Sequence, residues 1–300
     1  MLAGVEAALS GRCEVAMRAV DVLLHEAIDY AGLFPPAGLD LEATVRNYAA
    51  YRAGPDAWAL GGLVLPAAKL AEFGDRWPQY VAEWPISLLL GSDYDAEMRL
   101  AIDVGFRLAV VECRPARLED IAEIRRRMPS DGLLFVESPQ GCGLKQLIAA
   151  VAGAGACAKV RTGGVVAEAI PASSTVAAFL AACARHDVRL KATAGLHHAI
   201  RGEQRLTYER QSATACMHGF VNFFVAAAAA HEGANEDEVV EMLNDGERGN
   251  FSATNEELQW RGRSFSSEAI RRLRANFAIS FGSCSFEEPM EEMRAMGWIE

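Results

Sequence analysis

Residues 157–164 read CAKVRTGG and residues 189–195 read RLKATAG. Each is a short apolar run that carries a lysine and ends on glycine, and the amphipathic segment STVAAFLAACARH (174–186) lies between them. The same alternation extends outward in both directions. The runs AGLFPP (31–36), LGGLVLP (60–66), PISLLLG (85–91), RLAVVEC (107–113) and GLLFVES (132–138) come before, and FAISFGS (277–283) comes after. Helical patterns such as LEATVRNYAAYRA (41–53) and RLEDIAEIRRRM (117–128) separate them. Eight strand–helix units in this length predict an α/β chain folded as one (β/α)8 TIM-type barrel over residues 1–300. A doubly wound open sheet is the alternative, but no strand is followed by a Gly-x-Gly-x-x-Gly turn. An N-terminal helix over residues 14–30 is expected to cover the barrel floor. Residues 196–276 are far more than one crossover needs and read as a long helical insertion over the barrel mouth.

Composition narrows the function classes. Hydrophobic residues make up 51% and charged residues 23%, as in an ordinary soluble globular protein. A net charge of −11 argues against a nucleic-acid partner and against an anionic membrane surface. It leaves room for a small anionic metabolite in a local cationic pocket. The 7 cysteines are scattered without a Cys-x-x-Cys pair, which fits free thiols in a reducing compartment. With no signal-type run at the start, the expected location is the cytoplasm. The most apolar helix, FVNFFVAAAAA (220–230), is too short to span a bilayer. It suits either barrel wall or the interface of a homo-oligomer.

In such barrels the chemistry sits at the C-terminal ends of the strands. Four consecutive strands end in charge there: Glu112, Glu137, Lys159 with Arg161, and Lys191 with Thr193. Side chains alternate along a strand, so Lys159 and Arg161 share one face, as do Lys191 and Thr193, and the lumen is the better choice for that face. A buried ion-pair network would explain any one of these residues. Four adjacent strands each accepting a desolvation cost is a stronger sign of a site. A lysine beside other cations in a water-poor pocket gives up its proton more readily and becomes an amine nucleophile. Glu137 or Glu112 could then move protons. The glycines at 162–164, 194–195 and 281–285 follow the last three strands, where backbone N–H groups can approach an anion.

These stretches resemble the deoxyribose-phosphate aldolase type of class I aldolase. KVRTGG matches its strand-six motif, KATAGL its strand-seven motif, and FGSCS its phosphate-holding turn after strand eight. The chain as a whole resembles bacterial proteins. The motif resemblance implies a lyase with Lys159 as Schiff-base nucleophile and Lys191 as its electrostatic helper, and it requires no cofactor. It places Gly164, Gly195 and Ser283 near an anionic group. By their position at the same strand ends, Gly163, Gly282, Arg161, Thr193 and His197 are further candidate substrate contacts, although Arg161 replaces a small hydroxyl residue of the family's motif. The pattern departs from the family where Ala109 stands in place of a strand-four aspartate, leaving Glu112 as the nearby carboxylate.

Two other readings stay open. His197 and His198 with Glu112 and Glu137 could hold a divalent metal, giving a metal-dependent lyase, isomerase or hydrolase. The cationic set Lys159, Arg161, Lys191 and Arg201 also suits a metabolite-binding barrel without chemistry. HEAIDYAG (25–32) reads as a structural helix surface in which His25 and Asp29 pair. SCSFEEP (283–289) reads as a helix start with Ser285 as its cap, and Cys284 as a small buried residue with no histidine close in sequence.

Overall fold

A computed structural model of the chain describes residues 17–300. Eight parallel strands close into a barrel in the order β1-β13-β7-β6-β5-β4-β3-β2. They are β1 (Ile28–Tyr30), β2 (Leu60–Pro66), β3 (Ile86–Leu89), β4 (Val110–Cys113), β5 (Leu133–Glu137), β6 (Cys157–Arg161), β7 (Leu190–Thr193) and β13 (Ala278–Ser283). Helices between them form the outer shell: α2 (Leu41–Ala53), α3 (Leu70–Arg76), α4 (Pro78–Val81), α5 (Tyr94–Val104), α6 (Glu119–Arg126), α7 (Leu144–Gly153) and α8 (Ser173–Arg185). The expected (β/α)8 barrel is therefore present.

The alternation of each strand separates two cores. Outward residues such as Val111, Leu134, Val136, Ala158 and Ala192 join one continuous apolar shell with the helices. Inward residues Val110, Leu133, Phe135 and Cys157, with Ile279 against them, form a separate plug inside the lumen. The stretch Ala167–Arg185 is long and apolar enough to cross a membrane by composition. It includes α8, whose Val176, Ala177, Leu180 and Cys183 are buried in the shell.

The first strand corrects the expectation. AGLFPP is a loop, and the strand is IDY, three residues earlier. The helix ahead of it, α1 (Ala19–Leu24), is six residues long and packs beside a later shell helix. Residues 14–16 of the expected helix lie outside the described residues.

The interval 196–276 holds more strand than expected. An antiparallel hairpin, β8 (Gly202–Arg205) with β9 (Thr214–Met217), comes first. Then follow α9 (Phe220–His231), α10 (Glu236–Asn244), the antiparallel strands β10 (Phe251–Ala253), β11 (Glu257–Trp260) and β12 (Arg263–Ser266), and α11 (Ser267–Asn276). The hairpin stands at the mouth. The three-stranded sheet packs instead on α1 and α11, with Ala19 N donating to Asn255 O at 3.1 Å. Helix α9 is barrel wall: residues 220–230 are all buried, and Phe220 and Phe224 pack on Phe281 of β13 with ring centres 5.2 and 6.0 Å apart. The last helix, α12 (Glu287–Ala295), follows β13, and Glu288 N donates to Ser285 Oγ at 3.2 Å, as a capping serine would accept.

Candidate functional site

Register brings the lysines together. Lys159 stands opposite Lys191 across β6 and β7, Glu137 opposite Lys159, and Ser280 opposite Lys191. All face the lumen, directly above the apolar plug, with Lys191 Nζ 5.4 Å from the centre of the Phe135 ring. Glu112, from β4, reaches both lysines: its Oε2 lies 2.7 Å from Lys159 Nζ and its Oε1 2.7 Å from Lys191 Nζ. Ser87 Oγ donates to the same Oε1 at 2.6 Å.

Asp29 completes the group, and the sequence reading missed it. Its Oδ2 lies 2.5 Å from Lys191 Nζ and accepts from Ser280 Oγ at 2.7 Å, while its Oδ1 accepts from Gly62 N at 2.8 Å. It does not pair with His25 on a helix surface. At the other end Lys159 approaches Glu137 at 3.5 Å, and Glu137 meets Arg161 at 3.4 Å. Asp29, Lys191, Glu112, Lys159, Glu137 and Arg161 thus alternate in sign around the lumen. Asp29, Glu112, Lys159 and Lys191 are buried, Glu137 is half-buried, and Arg161 is exposed at the rim.

The electrostatics follow from that chain. Burial alone would raise the Glu112 carboxyl, but the two lysine ammoniums outweigh it and hold it well below the usual carboxylate range. Burial alone would lower Lys191, yet Asp29 and Glu112 keep it protonated above its ordinary value. Lys191 is therefore a fixed cation. Its nearest partners are carboxylates.

The glycines have a packing explanation. A Cβ on Gly163 would stand 2.8 Å from Gly195 Cα, and one on Gly195 equally close to Gly163 Cα, so the loops after β6 and β7 touch through bare backbone. Gly195 also has φ +79°, a left-handed conformation that favours glycine. A Cβ on Gly164 would meet Ala169, and one on Gly282 would crowd Thr193 Oγ1 at 3.2 Å. Ser283 Oγ accepts from Ser285 N at 3.3 Å. Thr193 is half-buried beside the rim.

The histidines go elsewhere. His197 Nδ1 pairs with Glu288 Oε2 at 2.7 Å and His198 Nδ1 with Glu292 Oε1 at 2.6 Å, both on α12. They are not brought to Glu112 and Glu137. Among the described residues no group of three or more His, Cys, Asp or Glu side chains is placed to hold a metal ion. Arg201 lies apart from the lumen set, with its guanidinium 3.4 Å from His218 Nδ1.

A cleft of about 530 Å³ opens beside the last strands, walled by Gly164, Gly195, His197, Arg205, Tyr208 and Glu288 among others. Burial would lower His197, but its hydrogen-bond partners Cys284 and Glu288 lift it to about 9. A histidine raised in the folded state adds stability that is complete below its unfolded value near 6.5 and is lost as pH rises through about 9. The stability gap between the parent protein and His197→Gln should therefore be widest near pH 6 and should shrink towards pH 10. Urea midpoints measured across that range check it, and a gap that stays constant would refute the pairing.

Compared with known protein families, curated proteins and solved structures, the chain matches none, so the reading of the site rests on its own residues.

Proposed function

We propose that the protein is a Schiff-base lyase of the aldolase type, acting on a small carbonyl compound that carries a carboxylate or phosphate. The observation that carries this reading is the buried Glu112 carboxylate, which bridges Lys159 and Lys191 at 2.7 Å each. It supplies the carboxylate that the Ala109 position lacks, three residues further on. Lys191 has Asp29 as a second partner at 2.5 Å and stays charged, whereas the second carboxylate of Lys159, Glu137, stands further off at 3.5 Å, so Lys159 is the amine assigned to react.

In the proposed sequence Lys159 passes a proton to Glu137, and its nitrogen bonds to the carbonyl carbon as the C=O π pair moves to oxygen. A second N–H proton moves to that oxygen to make a hydroxyl. Glu137 returns the proton to the new hydroxyl, which leaves as water. The resulting iminium carries one positive charge where the ammonium carried one. Glu112 therefore faces a cation before and after, and the site needs little reorganisation to stabilise it. Cleavage of the Cα–Cβ bond moves its electron pair into the iminium, giving an enamine, while the β-hydroxyl passes its proton to Glu137 and departs as a carbonyl. The enamine carbon takes that proton back, and water hydrolyses the iminium to release the second product and Lys159. Arg161, at the rim beside Glu137, is the cation available for the substrate's anionic group.

Borohydride reduction in the presence of short aldehydes and 2-oxo acids, followed by peptide mass spectrometry, tests this. The expected result is a reduced adduct on Lys159 that is lost in Lys159→Met. An adduct that persists in that variant, or none with the parent protein, overturns it. The complete pairing of Lys159 also suits a metabolite-binding barrel without chemistry. A thermal shift with small carboxylates or phosphates, and no adduct, would assign that reading instead.

A further inference from the structure

Topology places Cys284 next to a histidine that is distant in sequence. Because β13 pairs with β7, the loop after β13 lies against the loop after β7. Cys284 Sγ is 3.7 Å from His197 Nε2, and the other ring nitrogen, Nδ1, is 2.7 Å from Glu288 Oε2. Each ring nitrogen thus has one partner: sulfur on one side, carboxylate on the other. Cys284 also stands three residues before the start of α12. His197 and Glu288 line the 530 Å³ cleft. The sulfur itself is buried behind the phenol of Tyr208, whose hydroxyl lies 3.7 Å from Sγ and donates to Glu288 Oε2 at 3.2 Å. Tyr208 comes from the turn of the β8–β9 hairpin and is exposed on its outer side.

We propose that Cys284, His197 and Glu288 form a second reactive centre, separate from the lysines of the lumen, that transfers small activated acyl groups. Cys284 is the nucleophile, His197 its base, and Glu288 a positioning residue that fixes the imidazole. The proton shared by Sγ and Nε2 stays on Nε2 as sulfur bonds to the acyl carbon. Collapse of the adduct breaks the bond to the leaving alcohol or thiol, which takes that proton. Water then gives a proton to Nε2 and its oxygen bonds to the acyl carbon. The carbon–sulfur bond breaks, and the proton returns to sulfur. No oxidant or reductant enters. The other buried thiols among the described residues do not share this setting: burial pushes Cys113, Cys157 and Cys183 up, and none of the three has a histidine as a hydrogen-bond partner.

The probe is p-nitrophenyl acetate, followed by p-nitrophenol release and by mass spectrometry of the Cys284 peptide. We expect a burst of p-nitrophenol with one acetyl group on Cys284, lost in Cys284→Ala. His197→Gln should slow acylation at least tenfold. Glu288→Gln should lower the maximal rate with KM unchanged, which a merely structural role would not do. Since the phenol covers the sulfur, the same reaction is run in Tyr208→Ala. Acetylation confined to other residues in both proteins, or a burst unchanged in Cys284→Ala, overturns the proposal. The lysine adduct experiment reads a different residue, so either centre can fail without the other.

Discussion

Replacing Glu112 with Gln should destabilise the barrel by roughly 3–5 kcal/mol, the cost of leaving buried charge uncompensated. The side chain keeps its shape, so no cavity opens. What changes is that the two ammoniums at 2.7 Å lose their shared counter-charge, and an amide N–H₂ must face one of them. Lys191 retains Asp29, but Lys159 is left with Glu137 at 3.5 Å. The penalty should be flat across the middle of the pH range. Glu112 is depressed below its ordinary value near 4.5, so its contribution is present above that value and lost as pH falls through its folded one. Lys191 is raised above 10.5, so its contribution is present below that value and lost only as pH rises through its folded one. Chemical denaturation of Glu112→Gln, Lys159→Gln and the double variant tests the charge argument. The double variant restores neutrality, with Asp29 facing Lys191 and Glu137 facing Arg161, so its loss should fall short of the sum by at least about 1 kcal/mol. Simple additivity would show that packing, not charge balance, sets the cost. The single variant should also lose the Lys159 adduct, because the iminium would form beside an amide instead of a carboxylate.

The polar row was legible in the sequence for a definite physical reason. Lys159, Glu137 and Lys191 interrupt apolar strands at positions that share one face, and register then makes them neighbours. Glu112 could be placed on the same face, but that it bridges both lysines could not be read from strand order, since its own register partner is Phe135. Asp29 was hidden because its strand is three residues long. A run of Ile, Asp and Tyr after a helix looks like one more helical turn until the barrel closes and buries it against Lys191. Ser87 and Ser280 left a faint signal, as hydroxyls on the inward face of PISLLLG and FAISFGS. The Cys284–His197 contact spans 87 positions and needs the closure of β7 on β13. Eight strands in barrel order already imply that neighbourhood, yet sequence distance argued against it. The glycines pointed to an anion site by type alone, whereas Gly163 and Gly195 are required by the contact between two loops. In the long interval, the helical pattern hid short strands whose partners are each other.

Asn222 carries the second large effect. It is the one polar residue in FVNFFVAAAAA, and it is fully buried. An unpaired amide there would cost several kcal/mol, so its partners explain its presence. Its Oδ1 accepts from Arg201 N at 2.8 Å, just ahead of the β8–β9 hairpin. Its Nδ2 donates to Met242 O at 2.7 Å and to Asp245 O at 2.8 Å, at the end of α10. Asp245 continues the tie: its carboxylate accepts from Trp260 Nε1 at 2.9 Å and pairs with Arg261 at 2.8 Å, reaching the β10–β12 sheet. One side chain on the barrel wall therefore anchors the hairpin that walls the cleft, and through Asp245 the sheet on the flank. Asn222→Leu keeps the volume but leaves one N–H and two carbonyls without their partner. At about 1–3 kcal/mol for each unsatisfied buried group, partly relieved by relaxation, the loss should be roughly 3–4 kcal/mol. Amide exchange should rise first in Gly202–Met217, where few buried apolar contacts hold the hairpin, while the barrel strands stay protected. A loss under about 1 kcal/mol, or exchange that rises uniformly, would show that α9 packing alone fixes the insertion. If the hairpin loosens as expected, Tyr208 loosens with it, and Cys284 should acetylate faster in Asn222→Leu than in the parent protein.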